Sequence, residues 1–527
     1  MDNHSKETGF KKWDAWNKIA LAVLGLTGAV TLWLLGTVIS LNMLPVQYLA
    51  IVIILVVLFL FGIGKALFVT GFGGENTKKK KNKKSQGSVV AVRMLGLILA
   101  LALVLVDAVG ISMISKLQGT LTDIGNDDEE VVYETVGVYV LADDRAEELV
   151  DVKSYDFGYS LSYDEESIKT TVERMEKTMG KEMDWTKFDS DVDAVEGLLA
   201  EDVEAVLLNT AYISVLEGQE EYLDIASKLK LIHEFEMEDT DITVLNTDTK
   251  PEDMTKEPFI VYVSGNDSDS TSKNQRSDVN ILAVVNPVSK QVLLINTPRD
   301  YYVELVGSGK GDGKLDKLTH CGNFGVECSM MTLGELYNQD IHYYARINFK
   351  GFTRMIDAVG GVTVYSELQY YTPTGTLIKK GDNYMNGTTA LEFVRERYAF
   401  EDGDNARGRH QMAVIKAIIK KAASGAIITR YGDILDAMGS SFSTNLTNDD
   451  MSNLVKMQLN DMATWNIQSF SVMGEGNGTK EYTFSMPNQK SFVWHQDETY
   501  VEHAQDLIDK VFDGETITEK DLVVPTE

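Results

Sequence analysis

The sequence predicts an α/β protein: an α-β-α sandwich with a central mixed sheet, a smaller α/β unit before it, and three transmembrane helices at the N-terminus. Three observations carry this reading. Long apolar stretches are confined to the first 115 residues. From residue 131 onward, short β-branched runs alternate with helix-spaced segments. Charge in that later region gathers where the apolar strands end, and strand ends are where α/β proteins place ligands.

The apolar stretches cover about 19–41, 46–64 and 89–114, each near the ~20 residues needed to cross ~30 Å of hydrocarbon. Asn42 and Pro45 mark a tight turn between the first two. No cleavage pattern follows, which argues against a removable signal peptide. Lys6, Lys11, Lys12 and Lys18 precede the first stretch, and Lys78–Lys81, Lys83 and Lys84 lie between the second and third. Excess Lys marks cytoplasmic loops. Three crossings then place the N-terminus in the cytoplasm and everything after about residue 116 outside. Asp107, costly in lipid, is expected near the outer end or facing another helix.

The 527 residues carry 79 acidic and 49 basic side chains, a formal net charge of −30. Removing the 12 basic and 5 acidic residues of 1–115 leaves 37 basic and 74 acidic for 116–527. An outer body that acidic excludes nucleic-acid binding, which needs a basic face. Two cysteines allow neither a disulfide framework nor a Cys-rich zinc site, and the seven histidines contain no HExxH pair.

The outer region divides at a polar segment, 239–257, which contains Pro251. In the first unit, 131–250, strands are expected at Val136–Leu141 and Ala205–Leu208. Helices are expected at Glu165–Met179 and Ala194–Leu199, a strand–helix–strand order that suggests a parallel sheet. In the second, 258–515, strands fall at Phe259–Val263, Asn280–Val285, Val292–Ile295, Val362–Tyr365 and Trp465–Val472. Helices fall at Met330–Tyr337, Phe352–Val359, Thr388–Val394, Gln411–Ala423 and Val501–Val511. Residues 516–527 read as a loose acidic tail.

Four segments of the second unit carry candidate chemistry: Ser264–Asp267, Arg276–Asp278, Thr297–Asp300, and Val394–Tyr398 followed by Asp402–Gln411. Arg presents a rigid fork of donors matched to phosphate oxygens. Asp267 and Asp278 are of the type that holds Mg²⁺, and Mg²⁺ with Arg neutralises charge on a transferring phosphoryl group. Two look-alikes are rejected. Gly307–Lys314 resembles a phosphate loop, but Ser308 stands where its first Gly belongs and Leu315 where Ser or Thr belongs; a hairpin tip or lid fits better. Asp402–Arg407 resembles a calcium loop, but Ala406 replaces the third oxygen ligand.

Seven segments in order resemble the LytR-CpsA-Psr family: Arg276-Ser-Asp-Val-Asn280, Thr297-Pro-Arg-Asp300, Asp316-Lys-Leu-Thr-His320, Tyr344-Ala-Arg-Ile-Asn-Phe349, Asp357-Ala-Val-Gly-Gly-Val362, Phe393-Val-Arg-Glu-Arg-Tyr398 and Asp402-Gly-Asp-Asn-Ala-Arg-Gly-Arg-His-Gln411. The three-helix anchor and preceding unit resemble its capsule-associated, CpsA-like branch. The resemblance implies an enzyme of the Gram-positive cell membrane, acting outside the cytoplasm. It would move a glycopolymer, capsular polysaccharide or teichoic acid, from a polyprenyl-pyrophosphate carrier to peptidoglycan, with export machinery as a further partner. Carried over by motif, Asp267 and Asp278 would hold Mg²⁺ (or Mn²⁺). Arg276, Arg299, Arg395 and Arg397 would grip the pyrophosphate, Arg299, Arg395 and Arg397 acting in catalysis. Asp404, Arg407 and Gln411 would line the same site, with Asp404 as base or holding the acceptor hydroxyl. The family has a tighter segment around the first Asp; here Asp269 is an alternative to Asp267.

Met412, Ile415, Ile418, Ile419 and Ala422, like Phe352, Met355, Ile356 and Val359, form helical stripes. Each reads as core, or as the lining of the polyprenyl slot that the resemblance implies. A disulfide between Cys321 and Cys328 stays open: a continuous helix would hold them about 10 Å apart, too far to bridge, but Gly322 and Gly325 interrupt it. Two other functions compete with transfer. One is hydrolysis of the polyprenyl pyrophosphate; the other is a non-catalytic glycan-lipid sensor or assembly protein.

Overall fold

The computed structural model describes residues 15–69, 82–125, 133–238, 249–266, 275–400, 403–424 and 430–525 except 431, 435 and 438. These form two compact units, one from the N-terminal helices with residues 448–462, the other from 124–447 and 463 onward.

In the first unit, α1 (Ala15–Ser40), α2 (Val46–Leu67) and α3 (Asn82–Gly125) are each long and apolar enough to cross a membrane. Pro45 caps α2 and Asn42 turns the chain at φ 51°. Ala20, Ile63, Leu67 and Ala100 form a small interior where the helices meet. Asp107 faces that interior: buried on α3, it accepts a hydrogen bond from Thr31 on α1. A polar pair shielded by neighbouring helices satisfies the carboxyl without exposing it to lipid. The helix Asn448–Asp461 belongs to the same unit, and its Lys456 Nζ donates to Asn42 Oδ1 at 2.9 Å. The side chains of the lysine run lie outside the described residues.

The second unit holds two sheets. The smaller comprises β1 (Tyr133–Leu141), β2 (Asp156–Ser160), β3 (Asp184–Phe188), β4 (Ala205–Asn209) and β5 (Leu229–Glu238), in the order β3-β2-β4-β1-β5. Its helices are α4 (Glu165–Met179), α5 (Asp191–Leu199), α6 (Thr210–Glu217) and the single turn α7 (Ile225–Lys228). Helix α4 has the bounds its sequence implies, because Asp164 caps its first turn and Gly180 ends it at φ 68°. The sheet is mixed rather than parallel. The crossovers through α4 and α5 make β2 parallel to β3 and β4, but β1 pairs antiparallel with both β4 and β5.

The larger sheet contains β6 (Phe259–Asn266), β7 (Val279–Asn286) and β8 (Gln291–Asn296) as an antiparallel meander. A short ribbon, β9 (Tyr302–Glu304) with β10 (Leu315–Lys317), follows; Gly307–Lys314 forms its tip. Then come α8 (Leu318–Cys321), α9 (Val326–Tyr337), β11 (Tyr343–Asn348), α10 (Phe349–Ala358), β12 (Val362–Ser366), α11 (Gly387–Arg395) and α12 (Asp404–Ala422). Strand β11 lies parallel to β6 and is edged by Phe442–Thr444; Asn466–Ser471 lies parallel to β8. Side chains alternate across this sheet. Leu282, Val284, Leu293 and Ile295 pack with α9 and the helix Glu498–Phe512, while Ile281, Ala283, Val292 and Leu294 pack under Met412 of α12. That is the expected α-β-α sandwich.

Most of the two apolar stripes packs in two hydrophobic clusters. Met412, Ile415 and Ile419 pack on the sheet, and Ile418 packs with Phe352, Ile356 and Val359 against β12 and α11. Of the expected loose tail, the start is held against the large sheet, over residues 515–517. Ile517 is buried, its N–H donates to Gln291 Oε1, and Asn466 Nδ2 donates to its carbonyl at 2.8 Å. The phosphate-loop look-alike is also fixed, by Lys310 Nζ on the buried Asp164 carboxylate at 2.7 Å. Cys321 and Cys328 are unbridged and fully buried beside each other, and burial pushes the Cys328 thiol well up. We therefore expect neither thiol to react with iodoacetamide in the native protein at pH 8, and both to react in denaturant; labelling counted by mass spectrometry checks this.

Candidate active site at the strand ends

Because β6 and β8 run against β7, and β11 runs with β6, Asn266, Val279, Asn296 and Asn348 share one edge of the large sheet. The segments ending at Asn266, running through Arg276–Asp278 and following Asn296 open from that edge. Residues 275–278 are clamped before β7. Arg346 Nη2 of β11 donates to the Gln275 carbonyl at 2.5 Å, and Asn266 Nδ2 donates to Gln275 Oε1 at 2.9 Å. Ser277 N donates to the Thr319 carbonyl and Asp278 N to that of Gly265, both at 2.9 Å. Below this backbone runs Gly322, where an added Cβ would lie 2.3 Å from the Gln275 carbonyl oxygen and 2.9 Å from Ser277 N. Only glycine allows that approach.

After β8, the Thr297 hydroxyl hydrogen-bonds Tyr337 at 2.7 Å, and the Arg299 carbonyl accepts from Thr319 N at 2.8 Å. Gly403 at φ 45° opens α12, which begins seven residues before the expected Gln411 because the charged run from Asp404 is already helical. Asp404, Arg407 and Gln411 share one face of its first turns. Gly408 lets the helix close on Asn296, since a Cβ there would lie 2.4 Å from the Asn296 Nδ2.

The result is a charge cluster of Arg276, Arg299, Arg407 and Lys317 with Asp278, Asp300 and Asp404. Arg299 Nη1 meets Asp278 Oδ1 at 2.7 Å, Lys317 Nζ meets Asp300 Oδ1 at 3.2 Å, and Arg407 Nη2 meets Asp404 Oδ1 at 2.6 Å. Burial alone would raise the Asp278 carboxyl; the guanidiniums of Arg276, Arg299 and Arg407 outweigh it and hold the group well below the usual carboxylate range. Asp300, half-buried, is pushed up by desolvation but held down on balance by Lys317 and Arg299. Four cations against three carboxylates leave one positive charge in an otherwise acidic body, an arrangement suited to a polyanion.

A depressed carboxyl stabilises the fold above its unfolded value of ~3.9 and loses that contribution as pH falls through its folded value. The melting-temperature difference between the native protein and Asp278→Asn is therefore expected to stay constant from about pH 8 to 5 and to shrink only below ~4, read by calorimetry. A difference that shrinks between pH 7 and 5 would contradict this electrostatic account.

The remaining candidates lie differently. Arg395 closes α11 with its guanidinium over the Phe349 ring, 4.7 Å from the centroid, and Arg397 donates to the Tyr398 hydroxyl at 2.6 Å. Among the described residues neither forms an ion pair with the cluster carboxylates. Between them the buried Glu396 accepts from Tyr398 N and Ala399 N, fixing the turn that carries both arginines; Arg395 is exposed and Arg397 half-buried. Gln411 is half-buried. Asp267 and Asp269 lie outside the described residues, as does Asp402. His410, packed between Phe393 and Phe400, is held down to about 4 by burial and by Arg409, so it is neutral near pH 7.

Lys317, Asp300, Thr319 and Arg346 join the arrangement; the sequence marks their segments but assigns them no site role. The signal for Arg346 was one charged residue inside the strand pattern of Tyr343–Asn348. For a magnesium ion, the described carboxylate best placed is Asp278, whose Oδ1 already accepts from Arg299 and, at 3.5 Å, from Thr319. Mg²⁺ is commonly held by one or two carboxylates plus substrate oxygens rather than by a closed protein cage, and among the described residues no group of three or more His, Cys, Asp or Glu side chains forms such a cage.

A sandwich with guanidiniums and carboxylates converging on one sheet edge defines an α/β protein built to handle phosphorylated anions. The chain matches the LytR_cpsA_psr family over residues 221–499 and belongs to that family. It is 36% identical over 222 residues to a polyisoprenyl-teichoic acid–peptidoglycan teichoic acid transferase, TagU, of Bacillus cereus, covering 42% of this chain and 70% of that one. The TagU of Bacillus anthracis is 33% identical over 257 residues, covering 49% and 81%. Among solved structures, B. subtilis TagU is 26% identical, covering 50% of this chain and 100% of that one, with a TM-score of 0.38.

Proposed function

We propose that this protein is a membrane-anchored phosphotransferase that moves a glycopolymer from a polyprenyl-pyrophosphate carrier to peptidoglycan, acting outside the cytoplasm. The observation that carries the reading is the 2.7 Å Asp278–Arg299 pair, with the charges of Arg276 and Arg407 also acting on that carboxylate, in a chain whose relatives bear the name of teichoic acid transferases. The N-terminal helices keep the site close to the bilayer holding the carrier, with the N-terminus in the cytoplasm.

Arg276, Arg299 and Arg407 grip the pyrophosphate oxygens, and Arg395 and Arg397, at the end of α11 and on the turn after it, extend the grip. The acceptor hydroxyl oxygen forms a bond to the glycan-linked phosphorus. The anhydride P–O bond breaks, polyprenyl phosphate leaves, and the hydroxyl proton passes to Asp404, oriented by Arg407. The guanidiniums offset the negative charge that gathers on the leaving phosphate. Asp278, with Asp267 or Asp269, would hold Mg²⁺, which supplies further charge neutralisation.

The test uses the full chain in detergent with a polyprenyl-pyrophosphate glycan and Mg²⁺, with and without peptidoglycan. Acceptor-dependent transfer, lost on adding EDTA, is expected. Cleavage without transfer would make the protein a hydrolase, and tight binding without cleavage a sensor or assembly protein.

A further inference from the structure

We infer that the smaller sheet, residues 133–238, is part of the machinery of the site: the end of α6 positions the guanidinium of Arg276. This rests on the reading of Arg276 as a pyrophosphate ligand, and goes beyond it by giving the smaller sheet a role in donor binding.

The argument follows α6 along its length. Asn209, its N-cap, donates through Nδ2 to Asp164, which in turn pairs with Lys310 of the β9–β10 tip. One turn in, Tyr212 donates to Met486 Sδ and stacks near Tyr163, with ring centroids 5.1 Å apart; Tyr163 in turn lies 6.0 Å from Phe324 and 6.2 Å from Phe484. Such aromatic pairs contribute roughly 0.5–1.5 kcal/mol each beyond their burial, so α6 is fixed on the large sheet's body and does not swing on it. Ser214 Oγ then lies 3.1 Å from Asn323 Oδ1, in the Gly322–Phe324 turn that supports residues 275–277. Finally the helix ends at Gly218, where a methyl would lie 3.1 Å from Arg276 Nη1. Arg276 is 6% exposed. Its guanidinium therefore lies beside the carbonyl end of a helix, whose partial negative charge favours a cation there.

Gly218 has φ −71° and ψ −12°, ordinary helical values that any residue adopts. A Cβ there would also lie 3.1 Å from the Val215 carbonyl oxygen, so the Arg276→Ala background is needed to separate that backbone contact from the one with Arg276. The part of the effect of a side chain at 218 that disappears with Arg276 is the probe of that contact.

The test is a double-mutant cycle on the full chain in detergent, measuring kcat/KM for the polyprenyl-pyrophosphate donor with Mg²⁺. Gly218→Val is expected to lower kcat/KM about tenfold, with Gly218→Ala in between, and both with nearly unchanged melting temperature. In an Arg276→Ala background, the same substitutions are expected to change it less than about twofold, because the group they displace is gone. An undiminished effect in that background, or no effect of Gly218→Val at all, would overturn the inference while leaving Arg276 as a ligand. An Arg276→Ala enzyme with native kcat/KM would sink the ligand reading and the inference with it. If Gly218→Val lowers the melting temperature, Gly218→Ala alone carries the cycle.

Discussion

Arg299→Ala is expected to lower transfer by about 10³-fold or more, the scale seen when a guanidinium that stabilises a phosphoryl transition state is removed. The loss should fall chiefly on turnover, because Arg299 meets the charge that develops as the anhydride breaks. The fold should survive. Asp278 would lose its 2.7 Å partner but keep Arg276 and Arg407 nearby, so the cost should be about 2 kcal/mol rather than that of a stranded buried charge. Arg299→Lys keeps the charge and loses the fork, and should fall between. Turnover measured beside a thermal melt decides: a collapsed melt in Arg299→Ala would make the residue structural, and full turnover would remove it from the site.

The second large effect is expected at a residue that touches no substrate. Gly322→Ala places a methyl 2.3 Å from the Gln275 carbonyl oxygen, and backbone, unlike the tip of a long side chain, cannot swing away. The 275–278 segment must lift, breaking the Ser277 N–Thr319 bond or moving Arg276 and Asp278 with it. A stability loss of about 2–4 kcal/mol and a drop in transfer of about 10²-fold are expected, measured by chemical denaturation and by donor turnover at a temperature where the variant is folded. Native activity in Gly322→Ala would mean that the segment moves freely and that its clamp is dispensable.

Much of the fold was legible in the sequence, for local reasons. Glu165–Met179 reads to the residue because Asp164 and Gly180 are strong punctuation. The strands of the large sheet read from their β-branched runs and their burial on both faces. Pairing direction did not read in the smaller sheet: a strand's own residues carry no sign of whether its neighbour runs with or against it, and β1 took two antiparallel neighbours. The start of α12 was missed because Asp404–His410 looks like a charged loop until Gly403 is seen to begin a helix. In the site, Arg276, Asp278, Arg299, Asp404 and Arg407 were named from their motifs, and the structure brings them together. Arg346 stands in one of those motifs but took no role from it, because that role depends on Gln275, 71 positions away in the chain and across β6. The same dependence hid α6, since nothing local to Gly218 points to Arg276.

The aromatic seam under α6 leaves a signature that can be read across relatives. Tyr163 and Tyr212 cover Phe324, Phe484 and Met486. A chain starting at residue 258 would bare that surface to water, and contiguous apolar patches of this kind promote self-association. Members of the family that lack the smaller sheet should therefore carry polar side chains at the positions equivalent to 324, 484 and 486, while members that possess it should keep them greasy. Three letters in an alignment would then reveal which relatives carry the smaller sheet.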